Sequence, residues 1–217
     1  MTIRIIIADD HRVLREGLAS LAEQNEDLTV VDQAESGREA IELCKEHRPD
    51  VVLMDVAMPD LNGVLATQKI IDQCPGVKVI ALSSYSDQEY VGEMMEAGAM
   101  GYLLKDCAFE EVESAIRSVT DGQTYLSPGV AEVVVQNYVR KVPSPRSPGS
   151  AQLSPRETEV LQLITEGKSS KEIGRILDVS VKTVGTHRRR IMDKLEMDSI
   201  AELTKYAVRR GITSLDD

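Results

Sequence analysis

Residues 3–10, IRIIIADD, and 51–55, VVLMD, decide the fold. Each is a short, unbroken aliphatic run rich in Ile or Val that closes on aspartate. A strand covered on both faces reads this way, whereas a half-solvated strand alternates apolar and polar residues. Working outward, TVVDQA (29–34), VKVIALS (77–83) and GYLLK (101–105) are runs of the same kind. Amphipathic stretches separate them, and Ser36-Gly-Arg-Glu39 and Ser86-Asp-Gln-Glu89 both fit a capping box at a helix start. Strands alternating with helices of this length imply parallel pairing through right-handed crossovers. The reading predicts an α/β doubly wound five-stranded parallel sheet, flavodoxin-like, with strand order 2-1-3-4-5.

The pattern stops at a composition break. Residues 139–152, VRKVPSPRSPGSAQ, carry three Pro, three Ser and a Gly without apolar periodicity, as an extended linker does. A turn at Asp121-Gly122 and a helix opening at Ser127-Pro128 lead into it. Beyond it the strand pattern is gone, and four helix starts stand at Ser154, Ser169, Ser180 and Ser199. Three of them (Ser154/Glu157, Ser169/Glu172, Ser199/Glu202) fit capping boxes, and Pro155 takes the first helical position. The expected organisation is a first domain over 1–126, a helix and linker over 127–152, and a small all-α four-helix domain over 153–217. Helices over 169–177 and 180–195, only a few residues apart, read as a helix-turn-helix.

Composition bounds the function. The 217 residues carry a formal net charge of −11, 42% apolar residues and only 3% aromatics. No apolar run approaches the roughly 18 residues of a membrane span, and the N-terminus does not read as a signal peptide. Cys44, Cys74 and Cys107 are odd in number and widely spaced, which argues against a disulfide framework or a zinc site. A soluble, cytoplasmic protein is expected. The charge of −11 argues against nucleic-acid binding until it is divided: residues 1–138 carry −15, the linker +3 and residues 151–217 only +1. Residues 180–195 alone carry +4, the basic face that a recognition helix needs.

In open α/β sheets ligands bind beyond the carboxyl ends of the strands. Asp9 and Asp10 follow the first strand, Asp55 ends the third, Ser83 the fourth and Lys105 the fifth. Three converging carboxylates call for a hard dication such as Mg²⁺. With a hydroxyl and a lysine beside them they suit a phosphoryl group attacked by one carboxylate.

ADDH (8–11), MDVAMPDLNG (54–63), ALSSY (81–85) and GYLLKD (101–106) resemble the signature of response-regulator receiver domains over essentially all of 1–126. The resemblance implies that Asp55 accepts a phosphoryl group from a sensor histidine kinase. It implies that Asp10, Asp55 and the Ala57 carbonyl hold Mg²⁺, with Asp9 supporting through water. Ser83, where the family more often has Thr, would move to the phosphoryl group. Tyr102 would turn inward with it, and Lys105 would pair with the phosphate. Pro59 and Gly63 would shape the loop after the acceptor, and Ala57 and Tyr85 sit where the family tunes phosphoryl lifetime.

Residues 153–195, with the following helix, resemble the LuxR/FixJ/NarL-type helix-turn-helix. At 100° per residue, Val181, Val184, Ile191 and Leu195 line one stripe of the 180–195 helix, with Lys182, Thr186 and Arg189 opposite. Lys182, Thr183, Thr186, Arg188, Arg189 and Arg190 are the expected DNA contacts, Arg188 reaching a phosphate from the stripe's edge. Gly185 stands where the family often has a basic residue. Leu203 and Tyr206 are candidates for a dimer contact or for core packing. The function expected is a phosphorylation-switched transcriptional regulator, dimeric when phosphorylated and bound to promoter half-sites, that catalyses only its own phosphoryl transfer. Two rivals fit less well. A haloacid-dehalogenase-type phosphohydrolase needs an Asp where Ala57 stands. An acyl-lactone sensor needs an aromatic pocket that the first half lacks.

Overall fold

The five predicted strands form as β1 (Ile3–Ala8), β2 (Leu28–Ala34), β3 (Val51–Asp55), β4 (Lys78–Ser83) and β5 (Gly101–Leu104). A two-residue strand, β6 (Tyr125–Leu126), extends the β5 edge, so the sheet has six strands rather than five, all parallel, in the order β2-β1-β3-β4-β5-β6. Two residues carry no readable periodicity, which is why composition did not reveal it. The computed structural model describes residues 2–84, 88–132, 134 and 153–213, divided into the units Met1–Lys141 and Val142–Asp217. The predicted cap at Ser86, the position of Tyr85 and the 139–152 linker lie outside the described residues.

Helices α1 (Arg12–Ala22), α2 (Gly37–His47), α3 (Gly63–Gln73), α4 (Gln88–Glu96) and α5 (Phe109–Thr120) alternate with the strands. Successive strand residues point to opposite faces. Ile6, Ala8, Val52, Met54, Val79 and Ala81 therefore pack with α2, α3 and α4 residues such as Ile41, Ile70 and Met94. Ile5, Ile7, Val51, Leu53, Ile80 and Leu82 pack with Leu18 and Ala22 of α1 and with Val112 and Ile116 of α5. Two covered faces explain the unbroken aliphatic runs. Ser36 caps α2 by accepting from the Glu39 amide, but Glu39 Oε2 takes the Glu35 amide at 2.8 Å, one residue before the position that a full capping box requires.

The register brings the strand ends level: Ala8 pairs with Met54, Asp55 with Leu82, and Ser83 with Leu104. Gly63 starts α3 directly behind Asp55. A Cβ there would lie 2.0 Å from the Asp55 carbonyl oxygen, so only glycine permits this approach.

The second unit is all helical: α6 (Pro155–Thr165), α7 (Ser170–Ile176), α8 (Val181–Leu195) and α9 (Ile200–Arg209). Ser154, Ser169 and Ser199 make complete capping boxes, and Ser180 caps α8 through the Thr183 amide. Val160, Leu161, Ile164, Ile173, Val184, Ile191, Leu203 and Ala207 fill the core. Gly174 lets α7 close on the turn into α8, where a Cβ would meet the Val179 carbonyl at 2.8 Å.

Candidate functional site

At the carboxyl edge of the sheet, Asp9 is fully buried and Asp55 is 2% exposed, while Asp10 sits at the mouth. Lys105, whose side chain is 13% exposed, places Nζ 2.7 Å from Asp55 Oδ2 and 2.9 Å from Asp9 Oδ2. The Ala57 amide donates to Asp55 Oδ1 at 3.2 Å. Ligand atoms of Asp9, Asp10, His11 and Asp55 all lie within 4.8 Å of one another, the group among the described residues suited to a metal ion. Burial first, and then the charge of Asp9, push the Asp55 carboxyl above its ordinary range, while Lys105 pulls it down. Burial works against a charge on Lys105, but Asp55 and Asp9 outweigh it and raise its pKa. The pocket is thus a cluster of anions short of cations. Asp9 Oδ2 is engaged by Lys105 Nζ, whereas Asp10 Oδ1, with the His11 ring beside it, is buried and accepts no hydrogen bond, as an oxygen left for a dication would be.

The predicted residues therefore converge: Asp9, Asp10, Asp55, Ala57 and Lys105 meet at one pocket. Ser83, 1% exposed, ends β4 beside it. Tyr102 was expected to turn inward on activation, but its ring is already fully buried here. Its strand neighbour in register is Ala81, and the ring belongs to the core cluster that includes Tyr90, Val91 and Met94 of α4.

On α8 the outward face differs from the expectation in two places. Val181 is 53% exposed and is no part of the buried stripe, which runs through Val184 and Ile191. It stands about 60° round the helix from Val184, on a first turn that precedes the core contact. Lys194, counted in the basic face, instead donates to Glu157 Oε2 on α6 at 2.6 Å. Lys182, Thr186, Arg189 and Arg190 remain exposed, while Thr183 and Arg188 are half-buried. Both threonine hydroxyls bond locally, Thr183 to Ser180 and Thr186 to the Lys182 carbonyl. Leu203 is fully buried, which removes it as a dimer contact, and Tyr206 packs on the same core beneath the Arg210 guanidinium.

Residues 5–117 match the response regulator receiver domain family, and residues 151–207 match the luxR family of bacterial regulatory proteins. The chain belongs to the response regulators. It is 39% identical over 214 residues to the oxygen regulatory protein NreC of Staphylococcus carnosus, covering 97% of this chain and 99% of NreC. The response regulator UvrY of Escherichia coli is 36% identical over 214 residues, covering 99% of this chain and 97% of UvrY. The RcsB response regulator of Salmonella typhimurium, solved in a study of its conformational dynamism for DNA interaction, superposes with a TM-score of 0.67 at 25% identity. That match covers 96% of this chain and 98% of RcsB. This response regulator thus joins a receiver domain to a LuxR-type DNA-binding domain and acts in transcriptional regulation. Among its described residues no helix is long and apolar enough to cross a membrane.

Two residues of the response regulator's acidic pocket escaped the sequence reading. Arg15 on α1 is 6% exposed and donates to the Asp9 carbonyl at 2.6 Å and to Glu35 Oε1 at 2.5 Å. A single Arg in an amphipathic helix reads as solvated surface, and only the fold shows it folded under the β1–α1 loop. His11 places Nδ1 against Asp9 and Asp10. Its signal, a His directly after two Asp at a strand end, was visible but unread.

Proposed function

We propose that Asp55 is the phosphoacceptor and that a sensor histidine kinase is the donor, in a cytoplasmic two-component pathway. The observation that carries this reading is the convergence of three carboxylates, two of them paired with Lys105, at the carboxyl ends of the parallel strands β1, β3 and β5. The Asp55 carboxylate attacks the phosphorus as the bond to the donor's leaving group breaks, so the chain catalyses its own modification and no other turnover. Lys105 holds a fixed positive charge where phosphoryl oxygens arrive. The Ala57 amide orients the acceptor through Oδ1, and Ser83 stands ready to meet the new group. Asp10, Asp55 and the Ala57 carbonyl would hold Mg²⁺, with Asp9 behind them, and that ion supplies neutralisation of charge between acceptor and phosphoryl group.

Boundaries at 1–126, 127–152 and 153–217 fit this division of labour, with the acidic switch and the DNA reader as separate domains. Lys182, Thr186, Arg189 and Arg190 suit the major groove, with Thr183 and Arg188 nearer the phosphates. Phosphorylation would favour a homodimer on two promoter half-sites.

Labelling with a small-molecule acyl phosphate tests the acceptor: wild type should incorporate phosphate with Mg²⁺, and Asp55→Asn should not. Incorporation by Asp55→Asn at the wild-type rate would overturn the assignment. Light scattering with beryllofluoride and Mg²⁺ should show dimerisation. On promoter DNA, Lys182→Ala should lower the salt slope by about one if it contacts a phosphate, and Arg189→Ala should cost about 1–3 kcal/mol if it reads a base.

A further inference from the structure

We propose that Ser127 is a positioning residue for phosphoryl capture: it completes the end of β5 that carries Lys105 and locks the helix leading out of the receiver domain to that same strand end. The inference rests on the reading of Asp55 as the phosphoacceptor, and it adds a residue on the opposite edge of β5 from Ser83.

Ser127 follows β6 directly and precedes Pro128, where the outgoing helix opens; residues 128–132 and 134 are helical. In a parallel ladder the successive amides of a strand turn alternately to its two neighbours. The Lys105 amide accordingly donates to the Ser83 carbonyl at 2.8 Å on the β4 side, and the Leu104 amide turns to the β6 side. A longer β6 would meet that amide with a backbone carbonyl. The Ser127 amide still donates to the Tyr102 carbonyl at 3.0 Å, as the ladder requires, but the Ser127 carbonyl is taken by the Ala131 amide at 2.9 Å in the first turn of the outgoing helix. The side chain makes up the difference, and Ser127 Oγ accepts from the Leu104 amide at 3.4 Å.

The hydroxyl proton goes to Glu111 Oε1 of α5 at 2.6 Å. Glu111 is the third residue of α5, whose N-cap Ala108 makes no side-chain hydrogen bond, so its carboxylate has no serine of its own helix with which to form a capping box. The dipole at a helix N-terminus favours the charged carboxylate, and a charged acceptor makes the stronger hydrogen bond. Ser127 is 3% exposed, so little water competes for either bond. Beyond it, the fully buried Val130 and its neighbour Val134 pack into the cluster that holds Tyr102 of β5 with Tyr90 and Met94 of α4. One buried serine thus ties β5, α5 and the outgoing helix together.

Lys105 directly follows the amide that Ser127 holds. Its Nζ spans Asp55 and Asp9, and to stabilise a phosphoryl group it must stand where the new oxygens will arrive. A strand end fixed on one edge by Ser83 and on the other by Ser127 holds that charge with little freedom. Without Ser127, the end of β5 is held from the β4 side alone. The carboxylates stand at the ends of β1 and β3, with β4 between them and β5. Dication binding is therefore separable from the lock, whereas phosphoryl capture, which needs Lys105, is not. The coupling is reciprocal, so a phosphoryl group that engages Lys105 is felt by the outgoing helix, the segment that runs on into the linker.

The test uses the full chain with beryllofluoride as the phosphoryl mimic, reading capture by fluorine resonance and the outgoing helix by amide hydrogen exchange. With Mg²⁺ at saturation, Ser127→Ala should raise the half-saturating beryllofluoride about three- to tenfold, the size of one hydrogen bond, and Ser127→Thr, which keeps the hydroxyl, should stay within about twofold of wild type. Mg²⁺ titrated alone should bind wild type and Ser127→Ala within about twofold of each other. Mimic binding should change exchange over residues 128–134 in wild type and leave it unchanged in Ser127→Ala. Equal capture by wild type and Ser127→Ala overturns the proposal, and so does exchange that ignores the mimic in wild type. A parallel loss of Mg²⁺ binding also overturns it, because the serine would then support the whole domain rather than Lys105. If Ser127→Ala does not fold, Glu111→Ala carries the same readouts, since it removes the bond that fixes the hydroxyl. Wild type that fails to capture beryllofluoride, or captures it equally after Asp55→Asn, brings down the phosphoacceptor reading and the proposal with it.

Discussion

Replacing Glu157 by Gln should unlock the recognition helix from its support in a pH-dependent way. Glu157 is 5% exposed at the start of α6, and its Oε2 accepts from the Ser154 amide at 2.8 Å, the Ser154 hydroxyl at 2.9 Å and Lys194 Nζ of α8 at 2.6 Å. Burial works to raise its pKa, but the hydrogen bonds from Lys194 and Ser154, together with the Lys194 charge, hold it down at about 2 against an ordinary 4.5. A depression of that size corresponds to a ceiling of about 3 kcal/mol of stability at neutral pH. The Lys194 side chain is 40% exposed, so solvent screens its share, and Gln can still accept from the Ser154 amide. The expected loss is about 1–2 kcal/mol. Because the folded pKa lies below the unfolded one, this stability is present above about pH 4.5 and fades as pH falls towards about 2. Urea titrations of the full chain, followed by the amide resonances of α6 and α8, measure it without interference from the receiver domain. Wild type and Glu157→Gln should differ near neutral pH and converge in acid. A difference that stays constant down to about pH 2.5 would refute the ion-pair argument, and so would no difference at any pH.

Other perturbations test the remaining joints. Gly63→Ala would press a Cβ to 2.0 Å from the Asp55 carbonyl oxygen. It should cost about 1–3 kcal/mol and slow acyl-phosphate labelling, as read by calorimetry and phosphate incorporation; unchanged values in both would mean that α3 shifts freely. Arg15→Met leaves the buried Asp9 carbonyl without its donor and should cost about 1–3 kcal/mol. Glu35→Gln should cost less, because the Glu35 side chain is 70% exposed; chemical denaturation ranks the two, and the reverse order sinks the account. Ile191→Ala, at a fully buried site on α8, should lose about 2–5 kcal/mol and weaken DNA binding by unfolding the unit, which urea melts and gel shifts would reveal.

The composition of the chain is misleading as an average and informative when divided. A net charge of −11 hides an acidic first domain and a nearly neutral second one. The structure sharpens that division, since pairing with Glu157 removes Lys194 from the outward face. The surface left for DNA is narrower than a charge count suggests, with Lys182, Arg189 and Arg190 as its exposed cations on α8.

By itself the sequence determined the alternation of strands and helices, the four serine-capped helices of the second unit, and the acidic residues at the strand ends. These are encoded locally, in period, capping spacing and the residue that closes each strand, so they can be read without coordinates. Tertiary structure alone decided the rest. The sixth strand exists because an edge was available for two residues. Val181 is exposed because the core begins one turn later, although the helical period alone placed it near the stripe. Arg15 lies buried beneath the Asp9 loop, and His11 faces carboxylates rather than helix amides, because the fold brings their partners to them. Contacts between residues far apart in the chain, or between a side chain and a loop it could equally have left to solvent, depend on burial and distance, and a linear pattern carries neither.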